Sequence, residues 1–222
     1  MFDRLIKLIG KDKFKSLQEV NVLVIGLGGV GGYAFEALIR SGISNITIID
    51  GDNIEETNLN RQIITSNKNI GLSKVEVAKN HGLEINPTVN INAKKIFITE
   101  DNFNEILNEK YDYVIDACDD LVVKFLLIKN AHKYKLISSM GTANKFDPSK
   151  FQITTLDKTK NDPIARILRK RVKDAHIHRK FKVVSSTEPP VQKDCLGTNS
   201  YIPGIAGLLC ASYVVNDITK KK

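Results

Sequence analysis

The feature that most limits what this chain can fold into is an apolar run that ends in glycines and leads directly into a helical pattern. Residues 20–26 read VNVLVIG and residues 26–32 read GLGGVGG. A β-branched run that is apolar at nearly every position is a strand buried on both faces. Glycines directly after it let the backbone turn tightly and approach a phosphate, whose charge suits the N-terminus of the next helix. Residues 29–41 carry that helix, and Gly42 stands where a helix commonly terminates.

The alternation continues. Residues 45–50, 89–98, 111–116 and 136–139 read as strands, and residues 74–84, 102–109 and 120–133 as helices. This predicts an α/β chain, a Rossmann-like mainly parallel sheet with helices on both faces. After Gly141 the pattern changes. Residues 151–156 and 181–185 read as strands, 162–174 as a helix with Pro163 at its first position, 187–201 as a loop and 201–218 as a final helix. An antiparallel C-terminal extension is expected there. Residues 1–222 are read as one domain: an N-terminal helix over 1–19, a nucleotide-binding core over 20–141 and the extension over 142–222.

Composition narrows the class. The chain has 222 residues, 42% hydrophobic and 26% charged, which excludes a disordered chain, a collagen and a coiled coil. Three cysteines exclude a disulfide framework and suit a reducing cytosol. The charged N-terminus has no apolar core or cleavage site, and no apolar run reaches the ~18 residues of a membrane span. A cytoplasmic protein with no membrane association is expected. The net charge of +8, from 33 Lys+Arg against 25 Asp+Glu, favours a polyanion such as nucleic acid, or an anionic membrane surface.

The chemistry lies at the strand ends. Asp50 closes the second strand, where a carboxylate can bind ribose hydroxyls. Alone, the glycines and Asp50 also fit an NAD-binding oxidoreductase. Residues 50–62 (DGDNIEETNLNRQ) and 71–78 (GLSKVEVA) shift the reading to a triphosphate: Arg61 offers a planar fork for phosphate oxygens and Lys74 a mobile point charge. Asp119, after the strand ending at Asp116, suits Mg²⁺, which takes one or two carboxylates plus phosphate oxygens and water. Asp120 is better placed to cap the helix that follows.

Together GLGGVG, DGDNIEETNLNRQ, GLSKVEVA, INP and VIDACD resemble the E1-like adenylating family of ThiF, MoeB and HesA type, which activates carboxylates with ATP and Mg²⁺. The resemblance implies Gly26, Gly28, Gly29 and Gly31 at the phosphates and Asp50 at the ribose. It implies Asn58, Arg61 and Lys74 on the triphosphate, Asp119 on Mg²⁺, and Asp52 and Gln62 in the same signature. It also implies a homodimer in which Arg4 of one subunit completes the other's ATP site.

Residues 138–148 (SSMGTANKFDP), 158–166 (KTKNDPIAR), 183–189 (VVSSTEP) and 201–207 (YIPGIAG) are similar to one branch of that family, the tRNA threonylcarbamoyladenosine dehydratases. That branch implies ATP-dependent cyclisation of N6-threonylcarbamoyladenosine next to the anticodon. The intermediate is left open between an adenylate and an acyl phosphate. No CxxC pair is present, so the structural zinc of ThiF and MoeB type enzymes is not expected. Cys195, beside Lys193, stands where some relatives place a reactive thiol. A covalent role is not expected of it, since the nucleophile in cyclisation is internal. Arg166, Arg169, Lys170, Arg171, Lys173, Arg179 and Lys180 concentrate charge on the predicted helix 162–174 and the segment after it, and are read as a tRNA contact. Ile164, Ile167, Leu168 and Val172 are read as that helix's apolar face. Adenylation of a sulfur-carrier protein is the alternative within the family, with a carrier or sulfur-transfer partner.

Overall fold

The structure, a computed structural model, describes residues 1–191 and 195–220. The predicted loop 187–201 therefore lies partly outside the described residues, as does Lys193. Seven strands form one sheet: β1 (Asn21–Ile25), β2 (Asn45–Ile49), β3 (Asn90–Lys94), β4 (Tyr113–Asp116), β5 (Lys135–Ser139), β6 (Phe151–Thr155) and β7 (Lys182–Ser186). Their order is β3-β2-β1-β4-β5-β7-β6. All neighbours are parallel except β6 and β7. The antiparallel extension is thus a continuation of the parallel sheet, because β7 pairs in parallel with β5.

The helices are α1 (Asp3–Ile9), α2 (Lys11–Glu19), α3 (Gly31–Arg40), α4 (Lys74–Ile85), α5 (Phe103–Ile106), α6 (Leu121–Lys129), α7 (Pro163–Asp174) and α8 (Ile202–Thr219). The period of two along a strand divides the core. Val22, Val24, Ile46, Ile48 and Ile115 face α3, α4 and α8, meeting Phe35, Leu38, Val75, Cys210 and Val214. Leu23, Ile25, Ile49 and Val114 face the other way, onto Phe103 of α5, Val123 and Leu127 of α6, and Ala165 and Leu168 of α7. α8 crosses the start of α3 closely: a Cβ on Gly207 would stand 2.1 Å from the Val30 carbonyl oxygen. That helix is long and apolar enough to span a membrane by length and composition, unlike the expectation that no run reaches that length. Ala206, Cys210, Ala211 and Val214 place it against the sheet.

Local departures have local causes. The N-terminal helix is two helices, because Gly10 between them takes φ 86° and ψ 159°. β3 ends at Lys94 rather than 98, since Lys94 pairs with Ile49, the last residue of β2, and β2 is the only strand beside it. Asp120 caps α6 as expected, accepting the N–H groups of Val122 at 2.6 Å and Val123 at 3.1 Å. On α7 the buried positions are Ala165 and Leu168, with Ile164 and Val172 packed beside them. Ile167, read as apolar face, is 39% exposed.

The carboxyl end of β4 is held by a buried ion pair that the sequence reading did not find. Lys124 of α6 is 1% exposed and Asp116 is fully buried. The ammonium donates to both Asp116 oxygens at 3.1 Å and to the Ser139 carbonyl at 2.8 Å, while Ser138 Oγ donates to Asp116 at 2.5 Å. Burial opposes the charge on Lys124, but Asp116 overrides it and holds the pKa above the usual lysine value. Substituting Lys124→Met leaves a buried carboxylate unpaired and is expected to cost about 3–5 kcal/mol. Chemical denaturation checks this, with the double variant Asp116→Leu/Lys124→Met recovering part of the loss.

Candidate active site

β2 and β4 lie on opposite sides of β1, so chain order reverses at β1 and the loops above it diverge. In an open α/β sheet this is where a ligand crevice forms, beyond the carboxyl ends of the strands. A cleft of about 1400 Å³ occupies that place. Gly26, Gly28, Gly29, Asp50, Asp52, Asn58, Arg61, Gln62, Lys74 and Asp119 all line it.

The glycine loop is built by close approach. A Cβ on Gly31 would fall 1.7 Å from the Gly26 carbonyl oxygen, so that position admits no side chain. Gly31 lies behind the cleft, packing the loop, whereas Gly28 and Gly29 face the cleft. Asp50 holds the loop: its Oδ2 accepts the Leu27 N–H at 2.7 Å and its Oδ1 the Asp52 N–H at 2.9 Å. Each carboxylate oxygen has capacity for one further donor, such as a ribose hydroxyl.

Beside the loop, Asn58 is an organiser. Its side-chain oxygen accepts the Glu55 N–H at 3.1 Å, and its carbonyl accepts the N–H groups of Arg61 and Gln62. Arg61 packs its stem 3.3 Å from the ideal Cβ position of Gly29 and donates to the Thr57 carbonyl at 2.7 Å. Gln62 is 4% exposed, and its Oε1 is buried with no hydrogen-bond partner among the described residues. A buried unpaired oxygen beside a glycine cradle is what a bound donor would satisfy.

Lys74 is 6% exposed and bonds Asp52 at 2.7 Å, with Asp50 at 4.0 Å. Two carboxylates thus hold the ammonium at the cleft wall. Asp119 is exposed on the loop after β4, and no hydrogen bond engages its side chain among the described residues. One exposed carboxylate lining the same cleft as the glycine cradle fits Mg²⁺, which draws its remaining ligands from phosphate and water.

Other expected residues lie elsewhere. Arg4 is exposed on α1, outside its own chain's cleft. Of the α7 cations, Arg166 and Arg169 line the cleft; Arg169 donates to the Thr159 carbonyl at 3.1 Å. Arg171 donates to the Leu121 carbonyl at 3.0 Å and stands 6.0 Å from the Phe125 ring. Lys170, Lys173, Arg179 and Lys180 are exposed. Cys195 is exposed beside the cleft-lining Leu196, and its carbonyl accepts from Asn144 at 2.6 Å. Burial and Asp116 raise the Cys118 thiol above its usual range, and burial pushes Cys210 up to about 12.

Phe97 and Lys145 are among the cleft residues that sequence reasoning missed. Phe97 is 64% exposed and lies against Gly51, next to Asp50. It was hidden in the overlong reading of β3. Lys145 is 2% exposed in the loop after β5. A single lysine in a loop carries no spacing signal, although its segment was quoted for the branch resemblance.

Known proteins resemble the chain over nearly its whole length. A protein of Bacillus subtilis (strain 168) named tRNA threonylcarbamoyladenosine dehydratase is 36% identical over 240 residues, covering 99% of this chain and 94% of that one. The Escherichia coli (strain K12) protein of the same name is 36% identical over 209 residues, covering 92% and 76%. The crystal structure of E. coli tRNA N6-threonylcarbamoyladenosine dehydratase, TcdA, in complex with ATP superposes with a TM-score of 0.93 at 34% identity, covering 98% of this chain and 93% of that one. The sequence pattern of the ThiF family matches residues 2–222, and with the glycine cradle, Arg61, Lys74 and Asp119 gathered in one cleft, the chain belongs to that family.

Proposed function

We propose that the chain is an ATP- and Mg²⁺-dependent tRNA threonylcarbamoyladenosine dehydratase. The observation that carries this reading is the gathering of Asp50, Arg61, Gln62, Lys74 and Asp119 in one cleft, within a chain similar almost end to end to proteins of that name. Asp50 takes the ribose of ATP. The glycine loop, Arg61 and Lys74 take its phosphates, Lys74 exchanging its contact with Asp52 for a phosphate oxygen. Asp119 would hold Mg²⁺, which would supply charge neutralisation at the phosphates.

The threonyl carboxylate is too poor an electrophile to cyclise by itself. One of its oxygens attacks a phosphorus of ATP, and the bond from that phosphorus to its leaving group breaks. The carbamoyl group then closes on the activated carbonyl. AMP from an adenylate, or phosphate from an acyl phosphate, leaves with the electron pair of the broken bond, and the carbamoyl proton goes to solvent. The net change is loss of one water from the nucleoside. The protein's part is positioning and charge neutralisation. Cys195 takes no covalent part, because the nucleophile belongs to the substrate.

The exposed cations Arg166, Lys170, Lys173, Arg179 and Lys180 form the tRNA face, with Arg169 and Arg171 holding α7 in place. The enzyme acts as a homodimer in which Arg4 reaches the partner's ATP site.

Mass spectrometry of tRNA nucleosides tests the reading: purified protein, ATP and Mg²⁺ remove one water from the threonylcarbamoyl nucleoside. Release of AMP and pyrophosphate identifies an adenylate, and release of ADP and phosphate an acyl phosphate. An unchanged nucleoside, with pyrophosphate exchange stimulated by a sulfur-carrier protein, returns the chain to carrier adenylation; nicotinamide binding without ATP binding in calorimetry marks an oxidoreductase. Asp119→Asn is expected to lower turnover by about 10²-fold or more, with metal-free ATP binding retained in calorimetry. Lys170→Glu/Lys173→Glu is expected to raise KM for tRNA at least tenfold. The same variant is expected to flatten the dependence of binding on log salt by about 0.9 for each duplex phosphate no longer neutralised, or about 0.7 for each single-stranded one.

A further inference from the structure

The cleft is larger than one ligand needs. Its volume of about 1400 Å³ exceeds the roughly 300–1,000 Å³ usual for a small-molecule site. The strand order assigns the excess. In the sequence β2-β1-β4-β5, successive loops carry Asp50, the glycine cradle, Asp119 and Lys145. Neighbouring strands are about 4.8 Å apart, so the loop bearing Lys145 departs one strand beyond the metal-site carboxylate.

Lys145 is built into this position. Asn144 before it takes φ 57°, in the left-handed region that asparagine tolerates. The Lys145 carbonyl accepts from Asn199 at 3.1 Å, and the next two backbone N–H groups, of Phe146 and Asp147, donate to the Glu188 carboxylate at 3.0 Å. The ammonium itself makes one hydrogen bond among the described residues, to the Glu188 carbonyl at 2.6 Å. The nearby carboxylates are spent elsewhere. Glu188 serves those two N–H groups, and Asp162 serves the N–H groups of Gly141 at 3.0 Å and Ala165 at 2.9 Å. Burial lowers the Lys145 pKa, against the opposing pull of Asp162 and Glu188. A desolvated ammonium with two N–H groups to spare lines the wall of a cleft whose phosphate-binding cations, Arg61 and Lys74, sit at the other end.

We propose that Lys145 is the substrate-side anion site of this cleft, binding the carboxylate that ATP activates and delivering it past Asp119 to the phosphates. The proposal rests on the dehydratase reading for the identity of that carboxylate. A carboxylate approaching a polyphosphate meets strong repulsion, and a cation not already engaged by the phosphates offsets it. Lys145 therefore binds and orients the attacking group and takes no proton in the reaction.

The test uses the whole protein loaded with a non-hydrolysable ATP analogue and Mg²⁺. The probes are the free nucleoside N6-threonylcarbamoyladenosine and its methyl ester, which lacks the carboxylate charge. The unmodified protein is expected to bind the acid at least tenfold more tightly than the ester in calorimetry. Lys145→Met is expected to abolish that preference and Lys145→Arg to restore part of it, with ATP affinity and melting temperature within error of the unmodified protein. An equal acid preference in Lys145→Met, equal binding of acid and ester by the unmodified protein, or no binding of the acid, overturns the proposal. Water removal from tRNA is read in parallel: its presence without an acid preference leaves the dehydratase reading standing and this one overturned. Its absence with a Lys145-dependent preference overturns the dehydratase reading and keeps Lys145 as a carboxylate-binding site.

Discussion

The ion pair between Asp116 and Lys124 holds the floor on which the cleft is built. It joins the carboxyl end of β4, the carboxyl end of β5 and the inner face of α6, and Asp116 also accepts from the thiol and N–H of Cys118. Removing two charges from water is costly, and the cost is offset only where every remaining lone pair and proton finds a partner. Here Ser138, the Ser139 carbonyl and Cys118 complete the set. The loop bearing Asp119 departs directly from this cluster, and the loop bearing Lys145 begins one residue after Ser139.

From that floor, polar straps carry the C-terminal part of the chain to the nucleotide end. Asn60, beside Arg61, donates to the Thr198 carbonyl at 3.4 Å, and Asn199 next to it bonds the Lys145 carbonyl. Asn199 also accepts the Ile202 N–H at the start of α8, whose Gly207 packs on Val30 at the start of α3. The C-terminal part of the chain is thus tied to the Arg61 segment by a side-chain amide and to the glycine loop by the close packing of Gly207 on Val30.

What could be read beforehand follows from how much each position demands of its residue. Residues 20–32 were legible because Gly31 tolerates no side chain and β1 is buried on both faces. Asp120 was legible because a cap is a local arrangement. The end of β3 was not, since it depends on where β2 stops. Lys124 was invisible for a related reason: a lysine in a helix looks solvated until the fold supplies Asp116 from another strand. Ile167 fitted a helical stripe that α7 turns toward solvent. Lys145 acquires meaning only when β5 is set beside β4.

The burial of Lys124 and Asp116 also separates two kinds of electrostatics in one molecule. Mobile ions screen exposed charges over about 8–10 Å at ordinary ionic strength but act far less on a pair sealed from water. The Asp116–Lys124 floor therefore keeps its geometry at salt concentrations that screen the exposed charges of Lys170, Lys173 and Arg179. Ionic strength therefore acts on the exposed cations of α7 and the segment after it while leaving the floor of the cleft intact.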